Sequence, residues 1–335
     1  MTAPLHDTSA AETAAVDVAA NAPAKEIAGR SPAQIAWARL KRDKLALAGG
    51  GVVLFLIIVA IFAPLIVSWF GHPPNEFHDD PETVDALLGG QPVGEWGGMS
   101  KDFLFGVEPV NGRDTFSRVV YGTRISLIVA FLSAIFAVLL GTVFGIIAGY
   151  FGGVVDAIIS RTMDLLLAFP QLLFILALVS VVPSELWGLS GSGVRMGVLI
   201  VVIGFFGWPY VGRIVRGQTL SLREREYVEA AQSLGAGRRY ILFRELLPNL
   251  VAPITVYMTL MIPTNILTEA ALSFLGAGVK PPTASWGQML STAVRTYEIA
   301  PLFMIFPGLA IFVTVLAFNL LGDGVRDALD PKGNR

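Results

Sequence analysis

Six stretches of this chain carry no Asp, Glu, Lys or Arg: residues 45–70, 125–155, 165–184, 196–212, 246–268 and 299–322. That pattern leaves few folds open, because roughly 20 apolar residues are what a helix needs to cross a bilayer. In lipid, every backbone N–H and C=O must be satisfied within the segment, so each run is expected to be a helix. The fifth is expected to continue past Glu269 to about residue 279. A β-barrel is not expected, since the runs are too long and lack alternation. The expected fold is therefore an all-α integral membrane protein with six transmembrane helices.

Composition agrees. Charged residues make up 15% and hydrophobic residues 54%, with a mean hydropathy of +0.65, whereas a soluble chain carries about a quarter charged residues. Cys is absent, which excludes disulfides, thiolate metal sites and Cys nucleophiles. The basic residues build no single basic domain, so a nucleic-acid partner is not expected. They do set orientation: with the N-terminus inside, 17 of the 24 Lys and Arg fall on the inner side, which makes both termini cytoplasmic. Trp96 and Trp286 then lie outside and Arg239 inside. Residues 1–36 are expected as a disordered cytoplasmic tail, since their Ala-rich start has no apolar signal-peptide stretch. Residues 37–124 hold the first span and a long extracytoplasmic segment. Residues 125–322 form a five-helix domain with a cytoplasmic loop at 213–248, and 323–335 form a second cytoplasmic tail.

Within that loop, residues 229–249 read EAAQSLGAGRRYILFRELLPN. Small residues at Ala230, Ala231 and Ser233 let another surface approach a helix over 227–234, between Tyr227 and Leu234. Gly235 permits a sharp turn after it. Charges at Glu229, Arg238 and Arg239 flank the turn. Pro248, which has no N–H, suits the first turn of a new helix. A polar segment this ordered between apolar runs suggests a soluble partner.

The segment resembles the EAA loop of permease subunits in bacterial ATP-binding-cassette importers, carried here by Glu229, Ala230, Ala231, Gly235, Leu247 and Pro248. The resemblance implies a coupling helix that docks on an ATPase. One departure is Glu245, where close relatives often carry His. Further matches are Gly112, Arg113 and Asp114; Ser117 and Arg118; Tyr121 and Gly122; Arg124, Ser126 and Leu127. Others are the GYFGG stretch at 149–153, Phe169 with Pro170, EAALSFLGAG at 269–278, Ser285, Trp286 and Gly287, and GDGVRD at 322–327. Upstream, the usual Gly-Thr-Asp is replaced by Gly106, Val107 and Glu108. Covering about 37–331, the resemblance is to the C-type permease subunit of a dipeptide or oligopeptide importer, with a nickel or other small-solute importer as the alternative. It implies the type I importer permease fold. It also implies a second homologous permease, two ATPase subunits, an extracytoplasmic substrate-binding protein and a peptide substrate.

Other features have plainer readings. Gly141, Gly145 and Gly149 repeat every four residues and suit close helix packing. Pro170, Pro209, Pro253, Pro263 and Pro307 interrupt later spans, by ordinary kinking or by bending around a pathway. Glu269 is an acid inside an apolar run, a functional candidate or a structural hydrogen-bond partner. Gln171, Thr255, Thr259, Thr264 and Asn265 are polar candidates for a pathway wall, because polar groups facing lipid are costly. His72 and His78 beside Glu76, Asp79 and Asp80 read as a solvated acidic loop. No GxxxxGK[ST] segment occurs, so no nucleotide or other cofactor is expected on this chain and energy must come from another. A self-sufficient secondary transporter would need internal repeats and broken-helix ion sites, and neither is evident. A membrane enzyme would need a catalytic constellation that is also missing.

Overall fold

The computed structural model describes residues 32–181, 185–186 and 189–330. Most of the expected N-terminal tail and residues 331–335 lie outside the described residues. Helix α1 (Pro32–Leu40) begins inside the expected tail and precedes α2 (Lys44–Ile61) and α3 (Ala63–Phe70). After the 71–114 segment come α4 (Thr115–Phe151), α5 (Gly153–Ala168), α6 (Gln171–Val181) and α7 (Ser192–Arg223). Then follow α8 (Glu226–Ser233), α9 (Arg238–Phe274), α10 (Trp286–Ala293) and α11 (Pro301–Leu329). Two antiparallel two-residue ladders, Val84–Asp85 with Gln91–Pro92 and Glu185–Leu186 with Leu189–Ser190, are the strands among the described residues. The fold is all-α.

Helices α2, α4, α7, α9 and α11 are each long and apolar enough to cross a membrane, and α5 with α6 forms a sixth, bent pair. The third uncharged run is thus not a straight span. The chain turns by 86° between α5 and α6. Pro170 has no N–H for the helix ladder, and its ring drives the preceding residue out of the helical region. Phe169 is accordingly extended, at φ −79° and ψ 143°. Hydropathy cannot register such a bend, since both arms are apolar.

Other helices run past the charge-free limits. α7 continues to Arg223, and α9 starts at Arg238, upstream of Pro248. Pro248 does stand in the first regular α-turn of Leu247–Phe274, but a π-helical turn at Ile241–Leu246 leads into it without a break. The wider turn makes room for the ring and for the missing hydrogen bond. The carbonyl of Glu245 is taken up by the Asn249 side-chain amide at 2.6 Å.

The most extensive contact is α4 against α7, and the glycine repeat is its cause. A Cβ on Gly141 would stand 2.6 Å from Val211 Cβ and 2.8 Å from the Trp208 carbonyl, and one on Gly145 would stand 2.7 Å from the Gly212 carbonyl. Only a missing side chain lets the two backbones come this close. Around this pair, Val53, Leu127, Ile262, Ile266, Trp286 and Phe318 form a buried core joining α2, α4, α9, α10 and α11.

The 71–114 segment is fastened to the start of α4. Asp114 caps the helix, accepting from Phe116 N at 3.0 Å and Ser117 Oγ at 2.6 Å, and also accepts from His72 N at 3.0 Å. Buried Arg118 donates to Gln288 Oε1 at 2.8 Å and to the Pro74 carbonyl at 3.2 Å. Glu108, the departure from the family pattern, is a buried ion-pair partner of Arg113 and stands 3.7 Å from Arg118. His72 and His78 are not simply solvated. Their rings lie 5.0 Å apart and both pack against Phe103.

Candidate functional site

Helix α8 follows α7 after the two residues Glu224 and Arg225. One face is held down. Val228 is completely buried with Ile241 and Leu246, under Tyr150 and Leu222. The other face is open. Leu234 is 90% exposed, and Tyr227, Tyr240 and Phe243 are exposed beside it. Gly235 adopts φ +83°, the left-handed region that a side chain would strain. Its amide donates to the Gln232 carbonyl at 2.9 Å, and Ala236 N donates to the Ala231 carbonyl at 2.9 Å. The result is a concavity of about 550 Å³ with a floor of Ala230, Ala231 and Gly235 and rims of Tyr227, Leu234 and Tyr240. Apolar side chains are thus exposed in a polar loop, on a helix whose other face is fixed, the kind of patch that marks interaction sites on protein surfaces.

The structure brings most of the predicted loop residues to this surface. Tyr227, Ala230, Ala231, Leu234 and Gly235 line the concavity, while Glu229 and Ser233 are exposed on the same helix. Arg238 and Arg239 are both exposed, and the Arg238 guanidinium lies over the Phe151 ring at 5.6 Å. Pro248 is exposed one turn further along α9. Glu245, flagged only as a departure from the family, is on the concavity's wall. The sequence reading missed Tyr240 and Phe243. Two aromatics three residues apart, with polar neighbours, were the available signal.

A second feature lies among α6, α7 and α9. A cavity of about 310 Å³ is lined by Gln171, Tyr210, Tyr257, Thr264, Asn265 and Thr268, with apolar neighbours. Three of the expected pathway residues, Gln171, Thr264 and Asn265, therefore come together. Asn265 is nearly buried and donates to Ser133 Oγ at 2.9 Å, so it also ties α9 to α4. Thr255 and Thr259 are not in this wall. Thr255 bonds the Val251 carbonyl at 2.8 Å, and Thr259 bonds that of Val256 at 2.8 Å and faces Gly322 of α11. Thr264 likewise bonds the Leu260 carbonyl, at 3.3 Å, so what separates the three is position on α9: a threonine that bonds its own helix can face lipid, packing or a cavity at little cost.

Glu269 is also away from the cavity and fully enclosed. It accepts from Ser126 Oγ at 2.9 Å and Ser273 Oγ at 2.7 Å, joining α9 to α4. Between α5 and α7, Arg216 pairs with Asp156 and Arg213 with Asp164, which ties the first arm of the bent pair to α7. Among the described residues, no group of three His, Cys, Asp or Glu side chains is placed to hold a metal ion.

Spanning helices and an exposed helix–turn surface at one end define a class: a multi-pass membrane subunit built to work against other chains. Residues 141–335 match the family described as binding-protein-dependent transport system inner membrane component, and residues 31–85 match the N-terminal transmembrane domain of oligopeptide transport permease C. The chain is 45% identical over 303 residues, covering 90% of its length and 91% of the relative's, to the glutathione transport system permease protein GsiD of Salmonella paratyphi A. It is 44% identical to the GsiD of Shigella flexneri serotype 5b and 42% identical to that of Escherichia coli O6:H1, over the same coverage. The chain belongs to the binding-protein-dependent transport system inner membrane components; it is a permease subunit of the ATP-binding-cassette importer class.

Proposed function

We propose that this chain is one of two homologous permeases of an importer of dipeptides and oligopeptides. An extracytoplasmic binding protein delivers the substrate, and two ATPase subunits drive its passage. The α8 surface is the coupling site, on the cytoplasmic side with both termini. The observation that carries this reading is the pinned helix: Val228 fixes α8 to the bundle while Leu234 projects almost wholly free above a floor of small residues. Force applied to such a helix passes to α7 and α9 and is not absorbed by a flexible loop. The Tyr210–Thr264 cavity is the half-wall that the second permease completes. Peptide-class transport is supported by the relatives, which are named for glutathione, itself a small peptide, and by the match at residues 31–85.

The test is to replace Leu234 by Asp and, separately, Gly235 by Trp in the assembled importer. Fully burying a Leu is worth about 1.5–3 kcal/mol, and about 1.4 kcal/mol is tenfold in binding. ATPase co-purification and peptide uptake should therefore fall by roughly ten- to a hundredfold, with the chain still folded in the membrane. Unchanged uptake and co-purification in both variants refute the assignment.

A further inference from the structure

The far end of α7 from α8 carries a different kind of surface. There the segment following α9 folds over the start of α7, and a cavity of about 400 Å³ opens between them. Its polar lining includes Ser192, Arg195 and Lys280, and Pro281 and Pro282 form a stiff apolar wall. No carboxylate lines it among the described residues. Arg195 is oriented by its own chain: Nε donates to the Gly278 carbonyl at 2.9 Å and Nη2 to the Ala277 carbonyl at 3.2 Å. A guanidinium has five N–H donors, so the remaining three have no hydrogen-bond partner among the described residues. Lys280 is exposed and has no ion-pair partner among them. Two cations on separate elements thus face one concavity without a carboxylate partner among the described residues, and one of them is already held in place.

We propose that this cavity receives a carboxylate of the passing substrate, bound between Arg195 and Lys280. The inference rests on the peptide reading above and narrows it. A linear peptide with a free C-terminus presents one carboxylate whatever its side chains are. A site for that group would therefore accept many sequences and favour free over neutral ends. The fork of Arg195 suits a carboxylate better than a point charge would. Lys280 adds a mobile second cation that can follow substrates of different length. An acidic side chain of the delivering protein offers the same chemistry, and the experiment separates the two sources.

The experiment uses cells that express the importer with this chain replaced by Lys280→Gln or Lys280→Arg. Arg195 is left intact because it also braces the 277–278 carbonyls. Uptake is measured for labelled trialanine and for a C-terminally amidated analogue chosen among those the unaltered importer takes up. Each rate is divided by the unaltered importer's rate for the same peptide. Loss of one charged contact is expected to lower the acid-to-amide ratio about tenfold in Lys280→Gln, while Lys280→Arg stays within about twofold. Equal loss of both peptides assigns Lys280 to the delivering protein or the fold and overturns the proposal. So does no loss of either. If the unaltered importer takes up no peptide, free or amidated, the peptide reading itself fails and this inference falls with it.

Discussion

Replacing Gly141 by Ala adds one methyl group to the face that α4 presents to α7. The new carbon would stand 2.6 Å from Val211 Cβ, 2.8 Å from the Trp208 carbonyl oxygen and 2.9 Å from Gly212 N. Two of those atoms are backbone within one rigid helix, so no rotamer change relieves them. Overpacking of this kind costs about 1–3 kcal/mol, and the absence of a yielding side chain favours the upper figure. Ala recovers about 1 kcal/mol of helix propensity over Gly, which leaves a net loss of about 2 kcal/mol. Gly217, on α7, has nothing within 4 Å of its ideal Cβ. Gly217→Ala should therefore gain about 1 kcal/mol from propensity alone. The same chemical change thus carries opposite signs at the two positions. In mild detergent, the temperature at which half of the purified chain leaves the monodisperse peak should fall for Gly141→Ala and rise for Gly217→Ala. At about 2 °C per kcal/mol for a chain of this size, the two separate by roughly 6 °C. Shifts in the same direction for both variants would refute the close-packing argument.

The absence of native Cys makes topology directly measurable. Single Cys at Trp96 and Lys280 should react with an impermeant reagent added outside sealed cells, and Cys at Arg239 should not; labelling of position 239 reverses the assignment of sides. Trp286 is unsuitable as a reporter, because it is fully buried and donates its indole N–H to the Val119 carbonyl at 3.1 Å. Thr264→Leu, which removes a hydroxyl from the cavity wall, should slow uptake severalfold with normal assembly, whereas Thr255→Leu, away from that wall, should leave uptake unchanged. Equal effects of the two substitutions would detach the cavity from transport.

How far the sequence could be read depended on which physical constraint acts at each place. The spanning helices were legible because lipid leaves the backbone no alternative to internal hydrogen bonding. Their ends were less so. Once outside the hydrocarbon a helix tolerates charge, and α7 runs on through Arg213, Arg216 and Arg223. The 86° bend left only Pro170 as a trace. The turn after α8 was legible because Gly235 needs a backbone conformation that other residues resist. The cavity wall was half legible. Polarity was the criterion, yet Thr255, Thr259 and Thr264 all bond their own helix, so polarity could not tell which of them lines the cavity, and Tyr210 and Tyr257, with bodies apolar enough to pass as core, were overlooked. Arg118 and Asp114 stood out as a pattern; their reason is the capping and bridging that fasten the 71–114 segment.

The two long helices beside the cavities are held very differently. α7 meets α4 backbone to backbone along Gly141, Gly145 and Gly149, where any separation loses contacts that small residues alone permit. Against α9 it packs less closely: the 310 Å³ cavity lies in that boundary, beside the apolar cluster of Val211, Val215 and Leu250. The 400 Å³ cavity lies on the same seam, between the start of α7 and the segment that leaves α9. At the other end of the seam α8, which continues α7, rests through Val228 on Ile241 and Leu246 at the start of α9. A displacement of α8 must therefore act first on the α7–α9 boundary, since the α4–α7 boundary has no slack to yield. A well-packed interface moves as a unit or not at all, and a cavity-lined one can change width at small cost. Both cavities therefore lie where the bundle can open, and the exposed α8 surface lies at the end of the same line.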